Sequence, residues 1–147
     1  MEVHLPEDFR EFLKLLGEND VEYLLIGGYA VGFYGYPRAT SDIDIWVGRS
    51  RENAERVVRT LNAFGFAAGV NPELFEAEDA LVRMGVPPLR LEILTTISGV
   101  SFDEAYPRRG VHEIAGVPIQ IISLEDLKAN KAASGRTKDL ADLDYLE

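Results

Sequence analysis

Apolar positions along this chain switch repeatedly between a helical and a strand period, and the switches divide it into alternating helices and strands. Pro6, Glu7 and Asp8 open a helix on which Phe9, Phe12, Leu13 and Leu16 recur at helical spacing until Gly17. Val21 to Ile26 is an apolar run of strand length. Gly27 and Gly28 then lead into a short helix of small and aromatic residues through Tyr34, followed by Tyr36-Pro37. In Asp42-Ile43-Asp44-Ile45-Trp46-Val47 the alternation is that of a strand: Ile43 and Ile45 point to one face, Asp42 and Asp44 to the other. Ser50 can cap a helix from Arg51 to about Phe64, with Ala54, Val57, Val58, Leu61 and Phe64 on its buried stripe.

From Gly65 to Pro88 the period loosens. Phe66–Val70 reads as a short strand, Asn71-Pro72-Glu73 as a turn and Ala80–Gly85 as a strand, with Glu76, Glu78 and Asp79 in a solvated acidic loop. Leu89–Leu94 alternates cleanly, Leu89, Leu91 and Ile93 against Arg90, Glu92 and Leu94. Ser101 and Glu104 have capping-box spacing and predict a short helix through Tyr106. Val111–Ile114 and Pro118–Ile121 flank Ala115-Gly116 as the arms of a hairpin. Ser123 opens a further helix with Leu127 and Ala132 on its apolar side, Gly135 breaks it, and Thr137 can cap a last helix through Leu146. No linker or low-complexity segment interrupts the series, so the expectation is an α/β (α+β) fold in a single domain.

Composition agrees with that reading. The 147 residues are one domain by length, and 46% hydrophobic content supports a sizeable core. With no cysteine, disulfides and thiolate zinc sites are excluded. The N-terminus is acidic rather than signal-like, and the longest uncharged run, Tyr23 to Pro37, is too short and glycine-rich to span a bilayer. A cytoplasmic protein without membrane contact is expected. A net charge of −10 and a pI near 4.7 argue against binding nucleic acid through a broad basic surface, though not against a local basic pocket.

The chemistry begins at Asp42 and Asp44. Their Cα atoms lie roughly 6.5–7 Å apart on one strand face, where two carboxylates repel each other and lose hydration. A turn cap and a solvated edge position would explain them without function. A divalent cation would also remove the cost, and magnesium is commonly held by one or two carboxylates together with substrate phosphates. Separated from the pair by thirteen intervening residues, directly after an apolar strand, Gly27 and Gly28 supply the backbone freedom that a phosphate cradle needs.

The string Gly27-Gly28-Tyr29-Ala30, Gly35, Arg38-Ala39-Thr40-Ser41-Asp42-Ile43-Asp44 resembles the nucleotidyltransferase superfamily that shares its palm fold with DNA polymerase beta. It is most similar to the small stand-alone prokaryotic branch of AbiEii-type and minimal nucleotidyltransferases. The resemblance implies a mixed β-sheet flanked by helices and magnesium-dependent transfer of a nucleoside monophosphate from a nucleoside triphosphate to a hydroxyl. It implies that Asp42 and Asp44 hold one or two Mg2+ ions and that Gly27 and Gly28 cradle phosphates. It assigns the third carboxylate, ligand or base, to Glu92, where many relatives carry Asp. Near the C-terminus, Lys131, Gly135-Arg136, Lys138 and Asp139-Leu140-Ala141-Asp142 resemble the relatives' phosphate-binding segment, which gives Lys131 and Arg136 to the triphosphate and Asp139 to orienting them. Arg38 is a further candidate for phosphate or acceptor.

Each assignment has a plainer alternative. Glu92 and Arg38 can form salt bridges, Lys128, Lys131, Arg136 and Lys138 can pair with Glu125, Asp139 and Asp142, and Tyr29, Phe33, Tyr34 and Trp46 can be core rather than base-stacking surfaces. His112, in the hairpin, and His4 read as structural. Family members modify proteins, RNA ends or small molecules, so the acceptor stays open, as does a partner chain or homo-oligomer in a toxin–antitoxin pair. A rival reading is an inactive nucleotidyltransferase-fold protein serving as a nucleotide-binding or antitoxin partner.

Overall fold

A computed structural model describes residues 5–35, 42–65, 70–86 and 89–146. Arg38, His4 and all but the last residue of the strand expected at 66–70 lie outside these. The elements follow in order as α1 (Glu7–Glu18), β1 (Tyr23–Ile26), α2 (Gly27–Phe33), β2 (Asp42–Val47), α3 (Arg51–Phe64), α4 (Pro72–Glu76), β3 (Leu81–Val86) and β4 (Leu89–Leu94). After them come α5 (Phe102–Ala105), a 3₁₀ turn (Tyr106–Arg108), β5 (Gly110–Ile114), β6 (Val117–Ile121), α6 (Leu124–Ser134) and α7 (Thr137–Tyr145).

The strands form one mixed sheet in the order β3-β4-β2-β1-β6-β5. β1 pairs antiparallel with β2 and parallel with β6, β2 pairs parallel with β4, and β3–β4 and β5–β6 are antiparallel. The alternation read from the sequence fixes which face is wet. Ile43, Ile45, Leu91 and Ile93 are buried on one side of the neighbouring strands β2 and β4, and Phe9, Phe12, Leu13 and Leu16 of α1 join the same core. α1 packs on α3 and β6, with Phe12 edge-on to Phe64 at 5.2 Å. Trp46 is buried too, its indole N–H donating to the Thr95 carbonyl at 3.3 Å.

α3 carries the cap expected for it. Ser50 Oγ accepts from the Asn53 N–H at 3.1 Å, and Gly65 ends the helix in the left-handed region at φ 99°. Asn53 does more than complete that cap. It is buried, its Oδ1 accepts from the Glu22 N–H at 2.7 Å, and its Nδ2 donates to the carbonyls of Glu22 and Gly48 at 3.0 and 2.8 Å. The start of α3 is thereby latched to the segments that flank β1 and β2.

Several local expectations are corrected. Asn71-Pro72-Glu73 is not an isolated turn: Pro72 occupies the first turn of α4, where a missing N–H costs nothing, and Phe75 anchors that helix in the core. Glu76 ends α4 rather than lying in the acidic loop, where Glu78 and Asp79 are exposed as expected; Arg51 and Arg49 pair with Glu76 and Glu78 at 2.9 and 3.7 Å. Ser101 makes no side-chain cap; α5 is so short that the Ser101 carbonyl alone receives the Glu104 and Ala105 N–H groups. Thr137 does not cap α7, which Arg136 precedes while turning its own side chain to Asp139. Ala132 is exposed, since the inward positions of α6 are Asp126, Leu127 and Lys131. Among the described residues no helix is long and apolar enough to cross a membrane.

Candidate active site

Strand register assembles the site. Ile26 of β1 pairs with Asp44 of β2, Asp44 with Glu92 of β4, and Glu92 with Arg83 of β3, so these four residues form a single rung across the sheet. On the neighbouring rung Asp42 pairs with Arg90. Paired residues share a face, so Asp42, Asp44, Arg90, Glu92 and Arg83 all stand on the face opposite Ile43, Ile45, Leu91 and Ile93. A cavity of about 840 Å3 opens over this face, lined by Gly27, Gly28, Asp42, Asp44 and Glu92 on one side and by Lys131, Ser134, Arg136 and Lys138 on the other.

Gly27 begins α2 immediately after β1, at φ 70°, a conformation that favours glycine. Its missing side chain is also a requirement of space. A Cβ there would lie 2.2 Å from Asp44 Oδ2, so the Asp44 carboxyl fills the room that any other residue would need. Glycine and aspartate are therefore one device: the first lets the second lie flat against the turn.

The carboxylates are unequal. Asp44 has its pKa raised to about 7, first by burial, then by a hydrogen bond with Glu92 and the nearby charges of Glu92 and Asp42, with Lys138 pulling the other way. Its Oδ1 is buried without a hydrogen-bond partner. Asp42 receives Arg90 Nε on Oδ1 at 3.2 Å, and Glu92 receives Arg83 Nε on Oε1 at 2.8 Å. Among the described residues no group of three acidic or histidine side chains already surrounds a point where a metal ion could sit.

The opposite wall comes from the corner between α6 and α7. Lys131 is 4% exposed, and its Nζ stands 3.1 Å from both Asp139 Oδ1 and Asp142 Oδ2. Asp139 also accepts from Arg136 Nε at 2.7 Å and from the Ser134 hydroxyl. Burial pushes the Asp139 carboxyl up, but the hydrogen bonds from Arg136, Ser134 and Lys131 together outweigh it and hold the group well below the usual carboxylate range. Arg136 is held still more firmly protonated, first by its bond to Asp139 and in smaller part by the charges of Asp44 and Glu92. Its side chain is 71% exposed at the cavity wall, where it and Lys138 act electrostatically on Asp44, while Lys131 is enclosed.

Sequence reading left Arg83, Arg90, Asp79, Thr96, Ser98 and Asn130 out of the site. Arg90 carried a usable signal, because it shares a strand face with Glu92. Arg83 needed the β3–β4 register; Thr96 and Ser98 come from the loop after β4, Asp79 from the turn before β3, and Asn130 from α6, where it donates to the Ser98 carbonyl at 3.0 Å. Outside the cavity, Trp46 and Tyr29 are core, Tyr34 donates to the Ile122 carbonyl at 2.6 Å, and the His112 ring packs tilted against Phe33 at 4.5 Å. Lys128 does not line the cavity although it is one turn from Lys131.

Residues 6–147 match the model of a family described as "nucleotidyl transferase of unknown function (DUF2204)". No curated protein matches the chain at a significant level. Among solved structures, a proposed nucleotidyltransferase from Thermotoga maritima superposes with a TM-score of 0.64 at 19% identity, covering 92% of this chain and 88% of its own. An antigenic nucleotidyltransferase-like protein from Paracoccidioides brasiliensis gives 0.56 at 19% identity, covering 97% and 77%. The antibiotic-resistance factor ANT(2'')-Ia gives 0.58 at 15% identity, covering 95% and 80%, and has also been solved with adenylyl-2''-tobramycin. At these identities the likeness establishes the fold, and the mixed sheet flanked by helices is the one that the motif implied.

Proposed function

The chain belongs to the nucleotidyl transferase family matched over residues 6–147, and from that premise we propose that it moves a nucleoside monophosphate from a nucleoside triphosphate to a hydroxyl acceptor, with magnesium. The observation that carries this reading is the rung on which Asp44 and Glu92 stand side by side beneath Gly27 and across a cavity from Arg136. The donor set suits magnesium, being all oxygen, and the partnerless buried Asp44 Oδ1 is an acceptor in need of a cation. Asp42 and Asp44 would hold the ion with Glu92 completing the set; when bound, it supplies Lewis acidity at the transferred phosphate.

The protein groups then divide the work. The Gly27-Gly28 turn lets phosphate oxygens approach the backbone closely. Arg136, aimed by Asp139, offsets charge gathering on the departing pyrophosphate. Glu92 accepts the proton of the acceptor hydroxyl as its oxygen bonds to the α-phosphorus and the bond to the bridging oxygen of pyrophosphate breaks. For the acceptor, one parallel among the similar structures is ANT(2'')-Ia, solved with adenylyl-2''-tobramycin; a protein side chain or an RNA end is the alternative class, reached with a second copy or partner chain as in a toxin–antitoxin pair.

Label transfer tests the proposal. Purified protein, each α-labelled nucleoside triphosphate in turn, magnesium and a cell lysate are compared with an Asp44→Ala control. The expected result is a label that the control lacks, and its sensitivity to protease or nuclease, or its passage through a small-pore filter, identifies the acceptor class. Magnesium-dependent nucleotide binding with no label from any nucleotide would instead favour a non-catalytic nucleotide-binding partner.

A further inference from the structure

Two arginines stand where a cation would be needed. Arg90 on Asp42 and Arg83 on Glu92 each neutralise a carboxylate of the rung pair, at 3.2 and 2.8 Å. Neither is required to hold the sheet together, because β2–β4 and β3–β4 are already joined by continuous backbone ladders. As part-exposed ion pairs they add little to stability. Their effect on the site is larger. Two positive charges set among three carboxylates leave little net field to draw in a bare divalent ion, and they occupy oxygens that such an ion would have to use.

We propose that Arg83 and Arg90 are displaceable counter-ions: they hold Glu92 and Asp42 in the nucleotide-free protein and exchange them for triphosphate oxygens when the cation enters, so that cation and nucleotide bind as a unit. The inference rests on the reading that Asp42, Asp44 and Glu92 take the cation. A guanidinium fits a phosphate as well as a carboxylate, so each arginine trades one good partner for another. Arg83 has the freedom to do so, with a side chain 52% exposed at the cavity wall. The trade also explains why the described carboxylates do not yet converge on one point. A cation arriving alone has no oxygens to offer the released arginines, whereas one chelated by a triphosphate does.

Mn2+ as a probe, read by electron paramagnetic resonance of the free ion, separates this idea from its premise. Binding is measured with and without a non-hydrolysable nucleotide for the parent protein and for Arg83→Gln, Arg90→Gln, Arg90→Lys and Asp44→Asn. The glutamine variants are expected to bind Mn2+ alone about threefold tighter each, the size of one part-exposed ion pair, yet to bind the Mn2+–nucleotide complex more weakly. Arg90→Lys, which keeps the charge, is expected to stay near the parent. Unchanged or weaker Mn2+ binding in both glutamine variants, with Asp44→Asn abolishing the parent's binding, would overturn the counter-ion role and leave the cation site standing. Should Asp44→Asn bind Mn2+ like the parent, the premise fails and the inference with it. Arg83 is exposed enough that its variant tests the point even if Arg90→Gln does not fold.

Discussion

At the scale of single residues, the Gly27–Asp44 contact is the sharpest constraint in the molecule. Gly27→Ala combines a left-handed backbone with a Cβ placed 2.2 Å from the carboxylate oxygen, and Asp44 must move to accommodate it. Strain of about 1–3 kcal/mol is expected. An active-site displacement on the order of 1 Å can cost about a hundredfold in rate. Thermal melts and label transfer check the two parts separately. Gly32→Ala is the control: inside α2 with nothing within 4 Å of its Cβ position, it should keep activity and leave stability equal or slightly higher. A second expectation concerns pH. The fold raises the pKa of Asp44 from 3.8 to about 7, so between those values the folded protein binds the proton that the unfolded chain has lost. By linkage, this group makes stability fall as pH rises through that window and level off above it. In metal-free buffer Asp44→Asn should therefore melt higher than the parent at pH 8, by about 3 °C for each kcal/mol regained, and the difference should vanish near pH 4. A constant difference across the range would show that the cost is not one of ionisation.

At the scale of elements, legibility followed locality. The bounds of α3 could be read directly because its signals are contiguous: Ser50 at the cap, an apolar stripe, and Gly65. β2 and β4 were legible because alternation declares both faces of a strand at once. What escaped were features that depend on a partner distant in sequence. Phe75 makes α4 a helix by anchoring it in the core, and Asn53, polar in the first turn of α3, is buried because its amide completes the backbone hydrogen bonding of Glu22 and Gly48. A capping-box spacing was likewise no guarantee, since Ser123 bonds the Asp126 N–H whereas Ser101 bonds nothing in that way. These contrasts order three substitutions in urea denaturation. Asn53→Ala, stranding the Glu22 N–H and the Gly48 carbonyl while the Glu22 carbonyl keeps the Gly48 N–H, should cost about 3 kcal/mol. Ser50→Ala should cost about 1 kcal/mol, and Ser101→Ala no more than about 0.5 kcal/mol. An Asn53→Ala loss no larger than that of Ser50→Ala would mean that water replaces the latch.

At the scale of the whole molecule, the site exists because the sheet brings together stretches from both ends of the chain. The parallel pairing of β1 with β6, in register at Leu25 and Ile121, carries α6 and α7 back over the edge where β1 turns into α2. That return puts Arg136 within electrostatic reach of Asp44 and Glu92. No local pattern announces it, which is why the Asp42–Asp44 pair could be proposed from spacing, whereas Glu92 and the basic side of the candidate site came only from resemblance. The same arrangement sets a problem of charge. A chain of net charge −10 has to take in a polyanion, and within a Debye length of roughly 8–10 Å of its surface the net field works against binding. Local cations alone, with Lys131 already enclosed by Asp139 and Asp142, do little to reverse that. Nucleotide without magnesium should accordingly leave the melting temperature within about 1 °C of the free protein. With magnesium, at a hundredfold excess over Kd, binding is worth about 2.7 kcal/mol. For a domain of this size that is a rise of about 5–10 °C. Because the ligand would join elements from both ends of the chain, the rise should displace a single transition rather than split it, and Asp44→Asn should lose it. A shift of equal size in the presence of a chelator would show that the basic corner alone binds the phosphates and that the carboxylate rung has another use.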